Sequence, residues 1–161
     1  MKKLTLILIS CFSILFFACN KDLKNSEAFV GDYTSEGYIK STLTYTLIGE
    51  IETSTDIDEI FTNKTFSIAL GEYDDEVIIS VPEYNIDVVA KVTENKIDVA
   101  PTQINIFLSD YGMLTIPVTI SGKGTLVDAE LSYDLKISGE QTNALFAFAI
   151  EATVSGKAIK D

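Results

Sequence analysis

The sequence predicts an all-β domain, folded as an antiparallel up-and-down barrel of about eight strands and leaving room for one short helix. From Gly31 onward, apolar and polar residues alternate, and Thr, Val, Ile and Tyr are frequent. Alternation of this kind is typical of half-buried strands, and no stretch with helical periodicity is long enough to compete with it. Short turns and the absence of a repeat or a linker favour one sheet closed on itself.

The first 18 residues have the three parts of a secretory signal. Lys2 and Lys3 precede an apolar stretch over residues 4–17, and the small residue Ala18 stands just before Cys19. The apolar stretch is shorter than the ~20 residues that a permanent membrane helix needs. We therefore expect residues 1–18 to be removed as a signal peptide.

The sequence FFAC at the end of this signal resembles the lipobox of bacterial lipoproteins, although Phe16 and Phe17 stand where that motif has Leu and a small residue. The resemblance implies that Cys19 becomes the first residue of the mature chain and carries fatty acyl chains such as palmitate. The alternative is an ordinary signal peptide whose cut happens to fall at a cysteine.

The polar residues 19–27 are expected to form a flexible tether between this anchor and the domain, which we place at residues 28–161. Asn20 follows the cysteine, and in Gram-negative lipoproteins this implies the outer membrane. The pair Lys21 and Asp22 loosely resembles signals that send lipoproteins on to the cell surface. We thus expect a cell-envelope protein that is attached to the membrane through the lipid on Cys19.

The composition excludes several kinds of partner. Loss of Lys2 and Lys3 would leave ten lysines against 24 acidic residues, a net charge near −14, and the chain has no arginine. Such a chain repels phosphate backbones and lacks the bidentate fork that binds them best. We therefore expect no nucleic-acid partner.

The 143 residues that remain after removal of the signal peptide fit one domain.

The chemistry available to the mature domain is also narrow. There is no histidine, Cys11 leaves with the signal, and Cys19 is claimed by the lipid. Nucleophilic triads and the usual zinc sites depend on these residue types. We expect neither an enzyme nor a bound cofactor.

The predicted strands up to residue 108 each place their apolar residues on one face. Ile39, Leu43, Tyr45 and Leu47 alternate with Lys40 and threonines in the first of them. The same pattern gives four further inner faces: Phe66, Ile68, Leu70; Val77, Ile79, Val81; Ile86, Val88, Ala90, Val92; and Ile104, Ile106, Leu108.

The last three predicted strands supply large inward residues. Pro117 lacks a ladder donor, so its strand must give it an edge, a bulge or a solvent-facing position. The inward candidates are Leu114, Ile116, Val118, Ile120, Leu131, Tyr133, Leu135, Phe146, Phe148, Ile150 and Val154. Because nearly all are bulky, and an eight-stranded barrel is only just wide enough to be filled by side chains, we expect a mostly packed interior with a shallow apolar mouth.

One stretch, STDIDEIFTNK, does not follow the strand pattern clearly. Ser54 or Thr55 could cap a short helix in which Ile57, Ile60 and Phe61 fall at helical spacing and plug one end of the barrel. From sequence, this helix and its absence are equally open.

Three segments resemble the calycin-like, or lipocalin-like, β-barrel domains of small lipoproteins from Gram-negative bacteria. They are FVGDYTSEGYI, LTIPVTISGKGTLVDAELSYDLKI and ATVSGKAI, within a resemblance that covers residues 28–160. Gly31 and Tyr33 match the opening segment of that family, and the PVT run at residues 117–119 matches a late strand. The family implies a calyx but no agreed ligand, and the opening segment here has no tryptophan.

Two acidic clusters are weak candidates for chemistry. Glu72, Asp74, Asp75 and Glu76 offer oxygen ligands for Ca²⁺, but without EF-hand spacing they fit a solvated turn better. Asp56, Asp58 and Glu59 fit the start of the short helix better than a metal site.

We expect a non-enzymatic binding or accessory module for a small apolar molecule or an envelope partner. The alternative is a carboxylate-based glycan hydrolase or carbohydrate-binding protein, which would need two carboxyls facing each other across a cleft.

Overall fold

The computed structural model confirms the all-β prediction. It describes residues 25–47, 52–108, 114–142 and 146–161. A short helix, α1 (Asn25–Phe29), precedes eight strands, with a 3₁₀ turn at Pro82–Tyr84 between the third and fourth. The strands are β1 (Gly31–Leu47), β2 (Thr53–Leu70), β3 (Glu76–Val81), β4 (Ile86–Thr93), β5 (Lys96–Leu108), β6 (Leu114–Val127), β7 (Glu130–Thr142) and β8 (Phe146–Lys160).

The eight strands form a closed barrel in chain order, in which every neighbouring pair is antiparallel. The last strand returns to the first: β8 pairs with β1 from Tyr33↔Lys160 to Leu47↔Phe146. This is the predicted up-and-down barrel of eight strands. Closure gives β1 and β8 a partner on both sides, which removes the free edges that an open sheet would have there.

Helix α1 closes the end of the barrel at which β1 begins. Phe29 is fully buried, and its carbonyl accepts a hydrogen bond of 2.7 Å from the Tyr33 hydroxyl. The Ser26 hydroxyl, also buried, donates to the carbonyl of Asp74 at 2.7 Å. These contacts hold α1, which includes residues 25–27 of the segment that the sequence analysis assigned to the tether, against the barrel.

Most of the inner faces predicted for the strands are confirmed by burial. Leu70, at the end of β2, is 47% exposed, and the side chains of Leu47 and Leu108 lie outside the described part of the structure. The main core cluster lies next to α1 and joins Phe29 and Tyr33 to buried residues from β2 to β8, which are Ile68, Val77, Val88, Ala90, Val92, Ile97, Val99, Leu126, Leu131 and Ala158. A smaller cluster lies toward the other end and contains Leu43, Ile116, Val118 and Phe148.

The ring of Tyr33 anchors the aromatic part of the main cluster. It stacks on Phe66 with 5.2 Å between the ring centroids, and Phe66 meets Tyr133 edge-on at 6.3 Å. The Tyr133 hydroxyl is hydrogen-bonded to Ser35. Burial raises the pKa of both tyrosine hydroxyls, Tyr33 and Tyr133. The end near α1 is therefore filled, as predicted.

The short helix considered at STDIDEIFTNK is wrong, because these residues belong to β2. Ile57 and Phe61 are in register with Ser41 and Gly37 of β1. A spacing of four residues places two side chains on one face in a strand as well as in a helix, so that pair could not distinguish the two. Ile60 lies on the opposite face and is 80% exposed, so it plugs nothing.

Pro117 lies in β6 where its missing N–H does no harm. The ladder between β6 and β7 ends at Thr119↔Ser138, before it reaches the proline, whereas Pro117 remains in register with Asn105 of β5. This agrees with the expectation that its strand gives it an edge position.

Candidate functional site

The wall of the barrel has a gap because β3 and β4 are much shorter than their neighbours. β2 has 18 residues, but only its last four, from Ser67 to Leu70, pair with β3. β5 has 13 residues, and only three of them pair with β4. Toward the end far from α1, β2 and β5 therefore face each other with no described strand between them.

Local sequence explains why the pairing stops. β3 ends at the 3₁₀ turn that begins with Pro82, and Asn85 closes this turn in the left-handed conformation, with φ of 52°. β5 has an irregular register between Val99 and Thr102, next to Pro101, which has no N–H to donate. Both features interrupt the regular strand pairing that the longer strands of the barrel maintain.

Across the interior from this gap lies a set of apolar side chains that are only partly buried. They come from β1, β6, β7 and β8, and we call them the chamber residues: Ile39, Ile120, Leu135, Ile137, Ile150 and Val154. Ile39, Val154 and Leu135 are direct cross-strand neighbours and form one row. Ile120 packs against the main cluster, and Ile137 and Ile150 pack against the smaller one, but all six residues keep part of their surface exposed to solvent.

The inward direction predicted for these residues is confirmed, but the depth of their burial differs. Ile116, Val118, Leu131 and Phe148 are at most 5% exposed, as a packed interior requires. Ile120, Tyr133, Leu135, Ile150 and Val154 are only partly buried. The side chains of Leu114 and Phe146 lie outside the described part of the structure.

Glycines on the inner faces were missed by the sequence analysis, which considered only the bulky inward residues. A Cβ at Gly37 would lie 2.7 Å from the ring of Phe61, and one at Gly156 would lie 2.6 Å from the Tyr133 hydroxyl. Each glycine thus leaves room for an aromatic ring from a neighbouring strand. Gly122 and Gly124 could have indicated this from the sequence, because they lie two residues apart in β6 on the same inward face as Ile120.

Polar side chains also lie in the inner rows of this part, among them Ser41, Glu59 and Gln141. Glu59 is in register with Ile39 of β1, and its side chain is exposed. Gln141 is in register with Phe148, and its Oε1 is buried without a hydrogen-bond partner.

The acidic cluster in the β2–β3 turn is largely exposed to solvent. Lys91 pairs with Asp75 at 3.3 Å and with Glu76 at 3.9 Å, and both acids are neutralised by a lysine of the next hairpin. In the second cluster, Asp56 and Asp58 lie on the outer face of β2 and Glu59 on the inner one. Within residues 25–161 as far as they are described, no three ligating side chains come together as a metal site would need.

A depression of about 360 Å³ lies on the outer wall, over an irregularity between β1 and β2. Residues 62–63 of β2 form a bulge there, with Asn63 at φ of 57°. The lining residues are Glu36, Gly37, Ile60, Thr62, Gly156 and Lys157. Lys157 is already paired with Glu130 at 2.7 Å, and the depression is wide and shallow, so we place the candidate site inside the barrel.

Cys19 and the predicted signal peptide lie outside the described residues. In the part of the chain that the structure does describe, no helix has the length and apolar character to cross a membrane.

No family model, curated protein or solved structure matches this chain. The closed eight-stranded antiparallel barrel is consistent with the calycin-like architecture that the sequence motifs resemble.

Proposed function

We propose that this chain is a non-enzymatic module that binds a small apolar molecule among the chamber residues. The observation that carries the proposal is their partial exposure: six apolar side chains face the interior, opposite a gap in the wall. Apolar surface that a fold leaves open to water on a concave face is the usual mark of a ligand site.

The charge of the chain supports an uncharged ligand. The net charge is −12, there is no arginine, and Glu59 stands in an inner row beside Ile39. An anionic head group would meet repulsion and no fixed cation inside the chamber. We propose that the ligand is an uncharged amphiphile or hydrocarbon rather than a fatty-acid anion.

We also propose that the protein is anchored in the cell envelope through a lipid on Cys19, as a calycin-like lipoprotein of the outer membrane. Cys19 precedes Asn25, the first residue of α1, by six positions, which span at most about 20 Å when fully extended. The end of the barrel that α1 closes would then face the membrane. The far end and the gap would point away from it.

The anchor is tested by metabolic labelling with an alkyne fatty acid. The wild type should be tagged and the Cys19→Ala variant should not. Equal tagging of both proteins would overturn the anchor without touching the ligand proposal.

The ligand proposal is tested by thermal unfolding of the full chain, held in phosphatidylcholine nanodiscs, with dodecanol or dodecanoate. A ligand that binds the folded state raises Tm. We expect dodecanol to raise the Tm of the wild type more than dodecanoate does. Failure of both compounds, and of a wider series of uncharged amphiphiles, would overturn the proposal.

Two tryptophan variants locate the binding. Val154→Trp adds a large ring to the chamber, whereas Thr153→Trp adds the same ring to the exposed outer face one residue away. We expect the first variant to lose the Tm increase with dodecanol and the second to keep it. Because the natural chain has no tryptophan, a blue-shifted emission from residue 154 alone verifies that the two rings point to opposite sides.

The alternative of a glycan hydrolase or carbohydrate-binding protein is not favoured. A hydrolase needs two carboxyls about 5 to 10 Å apart across a cleft. The described strands place one carboxylate, Glu59, in the inner rows of the open part.

A further inference from the structure

The free edge of β2 is a second surface without an assigned role. Apart from the bulge at residues 62–63, residues 54–65 pair with β1 on one side, and they pair with no described strand on the other. Nearly all of them are exposed on both faces of the strand. An unpaired row of N–H and C=O groups is a template for one more strand, and soluble proteins usually cover or interrupt such an edge.

The two faces of this edge differ in chemistry. The outer face presents Asp56, Asp58 and the exposed Ile60. Lys40 of β1 is in register with Asp58, but in the described part of the chain no lysine comes within ion-pair distance of either carboxylate. The inner face presents Ile57 and Phe61 on either side of Glu59. A strand added here would need cations two residues apart on its outer face and apolar side chains on its inner face.

We infer that this edge binds an extended, basic polypeptide segment of a partner protein, which adds to β2 as a further strand. A second copy of this chain fits poorly, since pairing β2 with itself would bring like charges together, which destabilises a sheet. A basic segment would instead offset Asp56 and Asp58, while its inner apolar residues would cover part of the gap. This inference does not depend on a ligand in the chamber.

The test is binding of two matched peptides to the full chain in neutral phosphatidylcholine nanodiscs, with empty nanodiscs as the blank. One peptide alternates Lys and Val over ten residues, and the other alternates Glu and Val. We expect the lysine peptide to bind, to bind more weakly as salt is raised, and to protect the amides of residues 54–65 from hydrogen exchange. The glutamate peptide should not bind.

Charge-removal variants locate the contact. Asp56→Asn with Asp58→Asn should weaken binding of the lysine peptide about tenfold, the loss expected for two cross-strand charge pairs. The matched control is Asp134→Asn with Glu151→Gln, on β7 and β8, which both have partners on two sides. Asp134 accepts a hydroxyl hydrogen bond from Ser155 at 2.6 Å, as Asp56 does from Thr42 at 2.8 Å. This control variant should bind the lysine peptide as tightly as the wild type does.

Three outcomes would overturn the inference. They are absence of lysine-peptide binding, equal binding of both peptides, and protection that appears outside residues 54–65. Protection of these residues that rises with protein concentration and without peptide would show that a second copy is the occupant, and would overturn it too.

Discussion

Truncation of Phe148 to alanine tests how firmly the smaller core cluster holds the far end of the barrel. The ring is 5% exposed and packs with Leu43, Ile116 and Val118. Removal of a fully enclosed phenylalanine costs about 3 to 5 kcal/mol, which includes the cavity that remains. Because the neighbouring Ile150 is only partly buried and can move into the space, we expect about 3 kcal/mol.

The free energy of unfolding should be measured by urea denaturation followed by far-UV circular dichroism, with the slope against urea checked for constancy. Tyr73→Ala is the matched control, because that ring is 61% exposed in the β2–β3 turn and its removal should cost less than about 0.5 kcal/mol. A loss below about 1 kcal/mol for Phe148→Ala would show that the cluster is not packed, and that the open region extends through it.

Three further predictions concern a close glycine contact, a buried amide oxygen and two buried tyrosines. Gly156→Ala should destabilise the fold by about 1 to 3 kcal/mol in the same urea assay, since its Cβ would meet the Tyr133 hydroxyl at 2.6 Å; an unchanged midpoint would contradict the close packing there. Gln141→Leu should raise stability by about 1 kcal/mol, because it removes a buried oxygen without a partner, and a loss would show that the amide is paired. Burial raises the pKa of Tyr33 and Tyr133, so the folded state keeps protons that the unfolded state loses above pH 10 and stability should fall from there upward. Replacing both tyrosines with phenylalanine should flatten that fall in alkaline titrations, and an identical slope would refute the cause.

Alternation was enough to predict the fold class and most inner faces. In β7, Leu131, Tyr133 and Leu135 follow one another at every second position, and the register places all three toward the interior. A strict period of two leaves no choice of face once one side must be buried, so the sequence carries this information locally.

The shape of the interior could not be predicted in the same way. It depends on which residues face one another across strands, such as Phe61 over Gly37 and Tyr133 over Gly156. Such pairs come from distant parts of the chain, and the gap depends on the difference in length between β2 and β3. Alternation within one strand says nothing about either.

Helix α1 was missed for a related reason. Five residues are too few to show a helical period, and isolated helices of that length are unstable in water. Its stability comes from tertiary contacts, namely the buried ring of Phe29 and the hydrogen bond from Ser26 to the Asp74 carbonyl.

The pairing of β1 with β8 determines when the barrel can be completed as the chain is made. β1 is the first of the eight described strands in chain order, yet one of its edges pairs with β8, which is the last of them. Contacts between such distant segments form slowly, and an unpaired strand edge is prone to aggregation while it waits. A chain that lacks β8 leaves β1 paired on one side only, which makes truncation before Phe146 far more damaging than its length alone would suggest.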